Sequence, residues 1–252
     1  MTFSDILNNG FATAYIIKNG GSLSDFGLFL TILAILLCCA VGYFIGSINF
    51  AIILSKKYHK DDVRQHGSKN AGATNMLRTF GKKAAFLTFL GDFLKAVVVC
   101  FIGRLCWGLV GAYLAGLFCV LGHVFPIFFK FKGGKGVATT AGVMFACDIG
   151  TFLIIFFIYA GVFFVSQMVS LASVMSALMY TLVLFEMNKL FGVDPGFHTV
   201  LAFIISVVVI VKHVENIKRI INNTEPRVKL FGKKKSKEND PDTPNLPNNK
   251  DN

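Results

Sequence analysis

Residues 28–54, LFLTILAILLCCAVGYFIGSINFAIIL, run without one charged side chain. An α-helix needs about 20 apolar residues to cross the roughly 30 Å hydrocarbon core of a bilayer. Inside lipid no water is present to satisfy backbone N–H and C=O groups, so such a run has to fold as a helix. The stretch is too long, and too late in the chain, to be a signal-peptide core, and no small-residue cleavage site closes it. The rest of the 252 residues agrees: 54% are hydrophobic and 15% charged, against roughly a quarter charged in soluble domains. An all-α integral membrane protein follows.

The net charge of +11 raises nucleic-acid binding as one reading. The distribution of the charge argues against it. Twenty-one of the 25 Lys and Arg residues fall in three segments, 55–83, 130–135 and 212–252. By the positive-inside rule these three segments face the cytoplasm. Six cysteines lie in or beside apolar runs and none forms a CxxC pair, so they read as reduced, packed thiols and not as a zinc site.

These anchors set an expected topology. Residues 1–27 form an extracytoplasmic extension, with a short apolar patch at Phe11–Ile17. The first span covers 28–54, and residues 55–83 make a cytoplasmic loop. Spans 84–106 and 108–129 follow, joined by a tight external turn near Arg104. The loop 130–136 then returns to the cytoplasm. Between it and the basic tail four apolar stretches remain, 137–147, 150–166, 168–188 and 197–212. The number of crossings among them must be even, so the residues alone allow five or seven in all. Residues 137–147 are short for a span and suit a partial helix. The segment 230–252 is polar, rich in Asn and Pro, and expected to be a disordered cytoplasmic tail.

Three polar islands interrupt this apolar body, all on the expected cytoplasmic side. The first, RQHGSKNAGATNMLRTFGKK at 64–83, packs Gly67, Ser68, Asn70, Gly72, Thr74, Asn75 and Arg78 into one loop. Glycines let backbone N–H groups close around an anion, and arginine offers a two-pronged phosphate ligand. A helix starting near Ala71 would aim its N-terminus at the same place. The second, FKFKGGKGVATTAG at 129–142, sets Lys130, Lys132 and Lys135 among Gly133, Gly134 and Gly136, with His123 and Pro126 upstream. It is not a Walker A loop, because Gly136 stands where Ser or Thr must follow the lysine. The third, KHVENIKRIINNTEPRVK at 212–229, places His213 and Asn216 on one helical face, with Glu215 and Arg219 spaced to pair. A further charge pair, Asp92 and Lys95, lies inside a span, and mutual neutralisation is its simpler reading.

Converging cations and N–H donors imply an anionic, phosphorylated substrate, and the apolar body implies a second substrate from the bilayer. No cluster of aspartates suggests metal-dependent phosphoryl transfer, and no histidine is followed five residues later by Asp. An acyl donor activated by a phosphate leaving group would need no strong nucleophile, only groups that hold the leaving charge.

The three islands, in this order, together with GSINF at 46–50, resemble the bacterial acyl-phosphate-dependent glycerol-3-phosphate acyltransferase family, the PlsY type. The resemblance covers about residues 30–229, with Asn49, Lys69 and Ala71 as departures from the usual motif. It implies about seven transmembrane helices, some short, with the N-terminus outside and residues 28–229 as the acyltransferase domain. It implies a multi-pass enzyme of a bacterial plasma membrane whose active site faces the cytoplasm. The implied reaction moves an acyl group from acyl phosphate to the 1-hydroxyl of sn-glycerol 3-phosphate, with no cofactor, metal, acyl-CoA or acyl-carrier protein required; no nucleic acid is expected, and no obligate protein partner is inferred. By motif, Ser68, Arg78 and Lys135 would hold substrate phosphate, joined by Asn70, Thr74, Asn75 and Lys132. Gly133, Gly134 and Gly136 would shape the acyl-phosphate site, His213 and Asn216 would orient the acceptor, and Glu215 or Glu225 would support them. The base stays open between His213 and a substrate phosphate oxygen.

Overall fold

A computed structural model of the chain describes residues 3–19 and 24–228, and every regular element among them is helical. The expected disordered tail at 230–252 and part of the N-terminal extension, 1–2 and 20–23, lie outside the described residues. The elements are α1 (Phe3–Asn9), α2 (Phe11–Lys18), α3 (Asp25–Gly46), α4 (Phe50–His59) and α5 (Ala73–Val124). They continue with α6 (Val137–Cys147), α7 (Ile149–Ser166), α8 (Val169–Leu190), α9 (Phe197–Lys212) and α10 (Val214–Ile221).

The run 28–54 is not one unbroken helix, as its uniform composition would suggest. α3 ends at Gly46, and α4 starts anew at Phe50. Gly46 packs on the backbone of Cys119, which leaves no room for a Cβ. The Asn49 side chain then caps α4 by accepting from Ile52 N at 3.1 Å. The carbonyls freed by the break are not left bare. Lys95 Nζ donates to Gly46 O at 2.9 Å and Ile48 O at 2.7 Å, and to Asp92 Oδ1 at 2.8 Å. The Asp92–Lys95 pair therefore neutralises itself, as its spacing suggested, and also satisfies the end of α3.

α5 is continuous only in name. Its backbone leaves helical angles at Gly81 and again at Trp107 and Gly108. Gly103 and Gly111 face each other across the second break, each lying against the other's carbonyl. Two segments, 82–106 and 109–124, thus run as an antiparallel hairpin, with the turn three residues past Arg104. α1 and α2 pack on this turn. Gly10 sits back to back with Gly108, and Ala12 and Ala14 are buried.

Among the described residues, four helical stretches are long and apolar enough to cross a membrane, Asp25–His59, Ala73–Phe129, α7 and α8. α9 and α10, bent by 56°, make a fifth if taken together. α6 has 11 residues and is short for a crossing. The core joins α3, the α5 hairpin, α6, α8 and α9 around Tyr113, Val120, Val143, Tyr180, Leu184 and Ile205. Outward-facing apolar side chains stay uncovered, among them Phe157 at 70% and Val165 at 89% exposure on α7. That is the pattern of a surface solvated by lipid.

Candidate active site

The segment between α4 and α5 is held by its own side chains. Asp62 starts the turn at Val63–Gln65 by accepting from Arg64 N. The Arg64 guanidinium grips Asp62 at 2.9 and 2.7 Å and reaches across to the carbonyls of Phe129 and Lys132 at 3.1 and 3.2 Å. Hydrogen bonding to Arg64, against the opposing effect of burial, lowers the Asp62 carboxyl to about 2. The first island is thereby tied to the second. Buried Asn75 closes the loop from within. Its Oδ1 accepts from Ser68 N at 3.0 Å, and its Nδ2 donates to Val63 O and His66 O. α5 then begins at Ala73, two residues later than expected, with Gly72 as its N-cap.

The second island folds back on the end of α5. Gly133 N donates to Val124 O and Gly134 N to His123 O. A Cβ at Gly134 would lie 2.1 Å from His123 Nε2 and 2.6 Å from Ala71 O. His123 Nδ1 in turn meets Lys95 Nζ at 3.1 Å, so the loop rests on the charge network inside the bundle. Gly136, at φ 86°, is the N-cap of α6, and only glycine adopts that angle without strain.

The third island closes over the first two. His213 is the hinge between α9 and α10, and its Nδ1 lies 2.8 Å from Val209 O. A carbonyl only accepts, so Nδ1 carries the proton and Nε2 is the free acceptor. At the end of α10 the chain turns through Asn223, with φ 56°, and returns Glu225 over the helix. Glu225 then accepts from Asn216 Nδ2 at 2.7 Å and from Arg219 Nε at 2.7 Å. Burial raises the Glu225 carboxyl, but the donors Ser170, Arg219 and Asn216 outweigh it and leave a net lowering. Asn216 Oδ1 takes a hydrogen bond from Lys135 Nζ, which joins the second island to the third. Val228 N, bonded to Gln167 O, pins the returning strand to the α7–α8 turn.

All three islands line one cavity of about 870 Å³. Its mouth is polar: Ser68, Asn70, Thr74, Asn75, Arg78, Lys135, Gly136, His213, Asn216, Arg219 and Glu225. Its interior is apolar and runs between helices past Phe89, Phe93, Met144, Phe152, Ile155, Phe156 and Tyr159. Arg78 is exposed at the mouth and has no hydrogen-bond or ion-pair partner among the described residues. Thr140 and Ser176 turn buried hydroxyls to the wall, also without partners among the described residues. Burial, with like charge from Arg219, Lys212 and Arg78, pulls Lys135 down to about 8 against the opposing pull of Glu225. An anionic head thus meets fixed cations and donors at the mouth, and a hydrocarbon tail fits the interior.

Not every expected site residue reaches the cavity. Lys132 is exposed and contributes its backbone carbonyl to Arg64. Gly133 and Gly134 pack on the end of α5 and do not line the cavity, and the bonds of Asn75 all go to backbone. Glu215 is exposed and pairs with Lys218 at 3.0 Å, not with Arg219 as its spacing suggested. Arg219 instead joins Glu225 inside the site. The signal for that was the Asn222–Asn223–Thr224 helix stop, which turns the chain back. Ser170 and Ser173, on α8, gave no local signal.

The family model described as Glycerol-3-phosphate acyltransferase matches residues 36–223. The chain is 37% identical over 204 residues to the glycerol-3-phosphate acyltransferase of Finegoldia magna, covering 80% of this chain and 97% of that protein. It is 41% identical over 198 residues to that of Bacillus subtilis, covering 77% and 98%. Among solved structures it is similar to PlsY (YgiH), an integral membrane glycerol 3-phosphate acyltransferase, in its glycerol 3-phosphate form. The TM-score is 0.69 at 37% identity, covering 80% of this chain and 95% of that one. The lysophosphatidic acid form of PlsY matches with a TM-score of 0.67 at 36% identity, covering 77% and 95%.

Proposed function

The chain belongs to the glycerol-3-phosphate acyltransferase family, and we propose that it draws the acyl group from acyl phosphate. It acylates glycerol 3-phosphate, as an integral membrane enzyme. With this donor the acyl group goes to the 1-hydroxyl, and the products are lysophosphatidic acid and inorganic phosphate. One observation carries the reading: three islands far apart in sequence line a single cavity with a cationic mouth and an apolar interior. Its support from relatives is that PlsY has structures in glycerol 3-phosphate and lysophosphatidic acid forms.

In this reading Arg78, Lys135 and Arg219, with Ser68, Asn70, Thr74 and the first amides of α5, bind the phosphate groups. The acyl chain lies among Phe89, Phe93, Phe152, Phe156 and Tyr159. Asn216 and Glu225 hold Lys135 and Arg219 in position. His213 Nε2 orients the 1-hydroxyl and accepts its proton as the oxygen attacks the carbonyl carbon. The bond to phosphate breaks, and the cations stabilise the departing charge. The second acceptor is a substrate phosphate oxygen, and a His213→Asn variant that keeps near-normal turnover would assign the proton to it.

The helices 25–46, 82–106, 109–124, 137–147, 149–166, 169–190 and 197–212 make seven passes in a bacterial plasma membrane. Residues 28–229 form the acyltransferase body, the N-terminus lies outside, and the site opens to the cytoplasm. The test is lysophosphatidic acid formation by purified protein supplied with glycerol 3-phosphate and acyl phosphate, with acyl-CoA as control donor. Product from acyl-CoA alone would overturn the donor assignment.

A further inference from the structure

Lys135 is the only amine among the described residues that lines the cavity. It sits where the polar mouth meets the apolar interior, beside Gly136 and Val137 at the start of α6. Its Nζ donates to Asn216 Oδ1, and Asn216 donates onward to Glu225. Glu225 is itself held by Arg219, and Lys135 has no carboxylate within 4 Å among the described residues. An acyl phosphate with its head at the mouth and its tail inside would put its carbonyl at this boundary. The carbonyl of an acyl phosphate is electrophilic toward amines as well as hydroxyls.

We propose that Lys135 is a self-acylation site: when acyl phosphate occupies the cavity without glycerol 3-phosphate, the Lys135 amine takes the acyl group and the enzyme is inactivated. The inference rests on acyl phosphate being the donor. In the step, the neutral Nζ attacks the carbonyl carbon and a C–N bond forms. The bond from that carbon to the oxygen bridging it to phosphorus breaks, and its electron pair leaves on that oxygen as inorganic phosphate. One amine proton passes to phosphate or water. The product is an Nε-acyl amide, with no charge to hold phosphate and its chain in the tunnel. No oxidant or further reactant enters. Burial and neighbouring cations favour the neutral amine, since they bring Lys135 down to about 8. Bound glycerol 3-phosphate protects in two ways: its hydroxyl competes for the carbonyl, and its phosphate holds Lys135 as the ammonium.

The test uses the purified full chain in detergent with palmitoyl phosphate, with and without glycerol 3-phosphate, followed by intact and peptide mass spectrometry. The expected result without acceptor is one palmitoyl group per chain, mapped to Lys135, with activity lost in proportion. Its rate should rise about tenfold from pH 7 to pH 9 and flatten, as for a group titrating near 8, whereas an ordinary exposed lysine would gain about a hundredfold. Glycerol 3-phosphate should suppress the adduct, and Lys135→Arg should lack it. If that variant does not fold, the wild-type peptide map still decides. Lysophosphatidic acid formation in the same preparation with Lys135 unmodified would overturn self-acylation alone. Neither product nor adduct would overturn the donor reading as well. Acyl groups scattered over exposed lysines would mark unspecific chemistry and overturn the site.

Discussion

Arg78 and Lys135 are cations of different kinds. Arg78 is exposed at the mouth with its fork free, and lysine would keep the charge while losing the two-pronged geometry. Loss of a charged hydrogen bond costs roughly 1.5–3 kcal/mol, so Arg78→Lys should lower kcat/KM about ten- to hundredfold. Steady-state kinetics on folded protein check this, and near-normal efficiency would make Arg78 a topology charge only. Lys135 is partly buried and titrates near 8, below the 10.5 of a free lysine. Phosphate binding needs the ammonium, so KM for glycerol 3-phosphate should climb as pH rises through about 8. Lys135→Arg should remove that limb, because arginine stays charged. An unchanged limb would exclude Lys135 as its source. The sign for folding runs the other way. With the folded value below the unfolded one, the charge opposes folding below about pH 8, and the opposition fades as pH rises toward 10.5.

Among the elements, the break between α3 and α4 depends on a side chain from the facing helix. Lys95 serves two orphaned carbonyls, Asp92 and His123 together, and His123 packs under the second island at Gly134. Lys95→Met would strip these partners and leave Asp92 charged and buried. Breaking one side of a buried pair costs roughly 3–5 kcal/mol. Thermal denaturation in detergent should show Lys95→Met markedly destabilised, and Lys95→Met with Asp92→Asn less so. Equal loss in both would mean that the carbonyls, not the carboxylate, dominate. At the other end of the hairpin, α1 and α2 lie against the turn at Trp107–Gly108. A Cβ at Gly10 would come within 2.1 Å of Gly108 N. Gly10→Ala should therefore lower the melting temperature while leaving kcat/KM unchanged, because the turn lies outside the cavity lining. A normal melting temperature would show that this contact does not hold the turn.

For the whole molecule, the three cationic segments should share one side of the membrane. Thiols introduced at Lys60 and Lys132 should react with impermeant reagent only after the cells are opened, and labelling of intact cells would refute the orientation and the site's location together. Much of this protein was legible before any contact was known. Uncharged runs required membrane helices, since lipid offers no other partner for the backbone, and the bounds of α6, α7, α8 and α9 fell within two residues of the apolar stretches that announced them. The islands themselves were visible because glycine, asparagine and lysine are out of place in an apolar chain. Hydropathy could not see the break at Ser47–Asn49, because the carbonyls it frees, of Gly46 and Ile48, are satisfied by Lys95, 49 and 47 positions along the chain. Helical spacing pointed Arg219 to Glu215, and the structure gives it Glu225 instead. α10 ends at Ile221 and Asn223 reverses the chain, which brings the later carboxylate inward and leaves the earlier one in solvent. Local sequence fixes what a residue prefers, and long-range packing decides which neighbour is there to satisfy it.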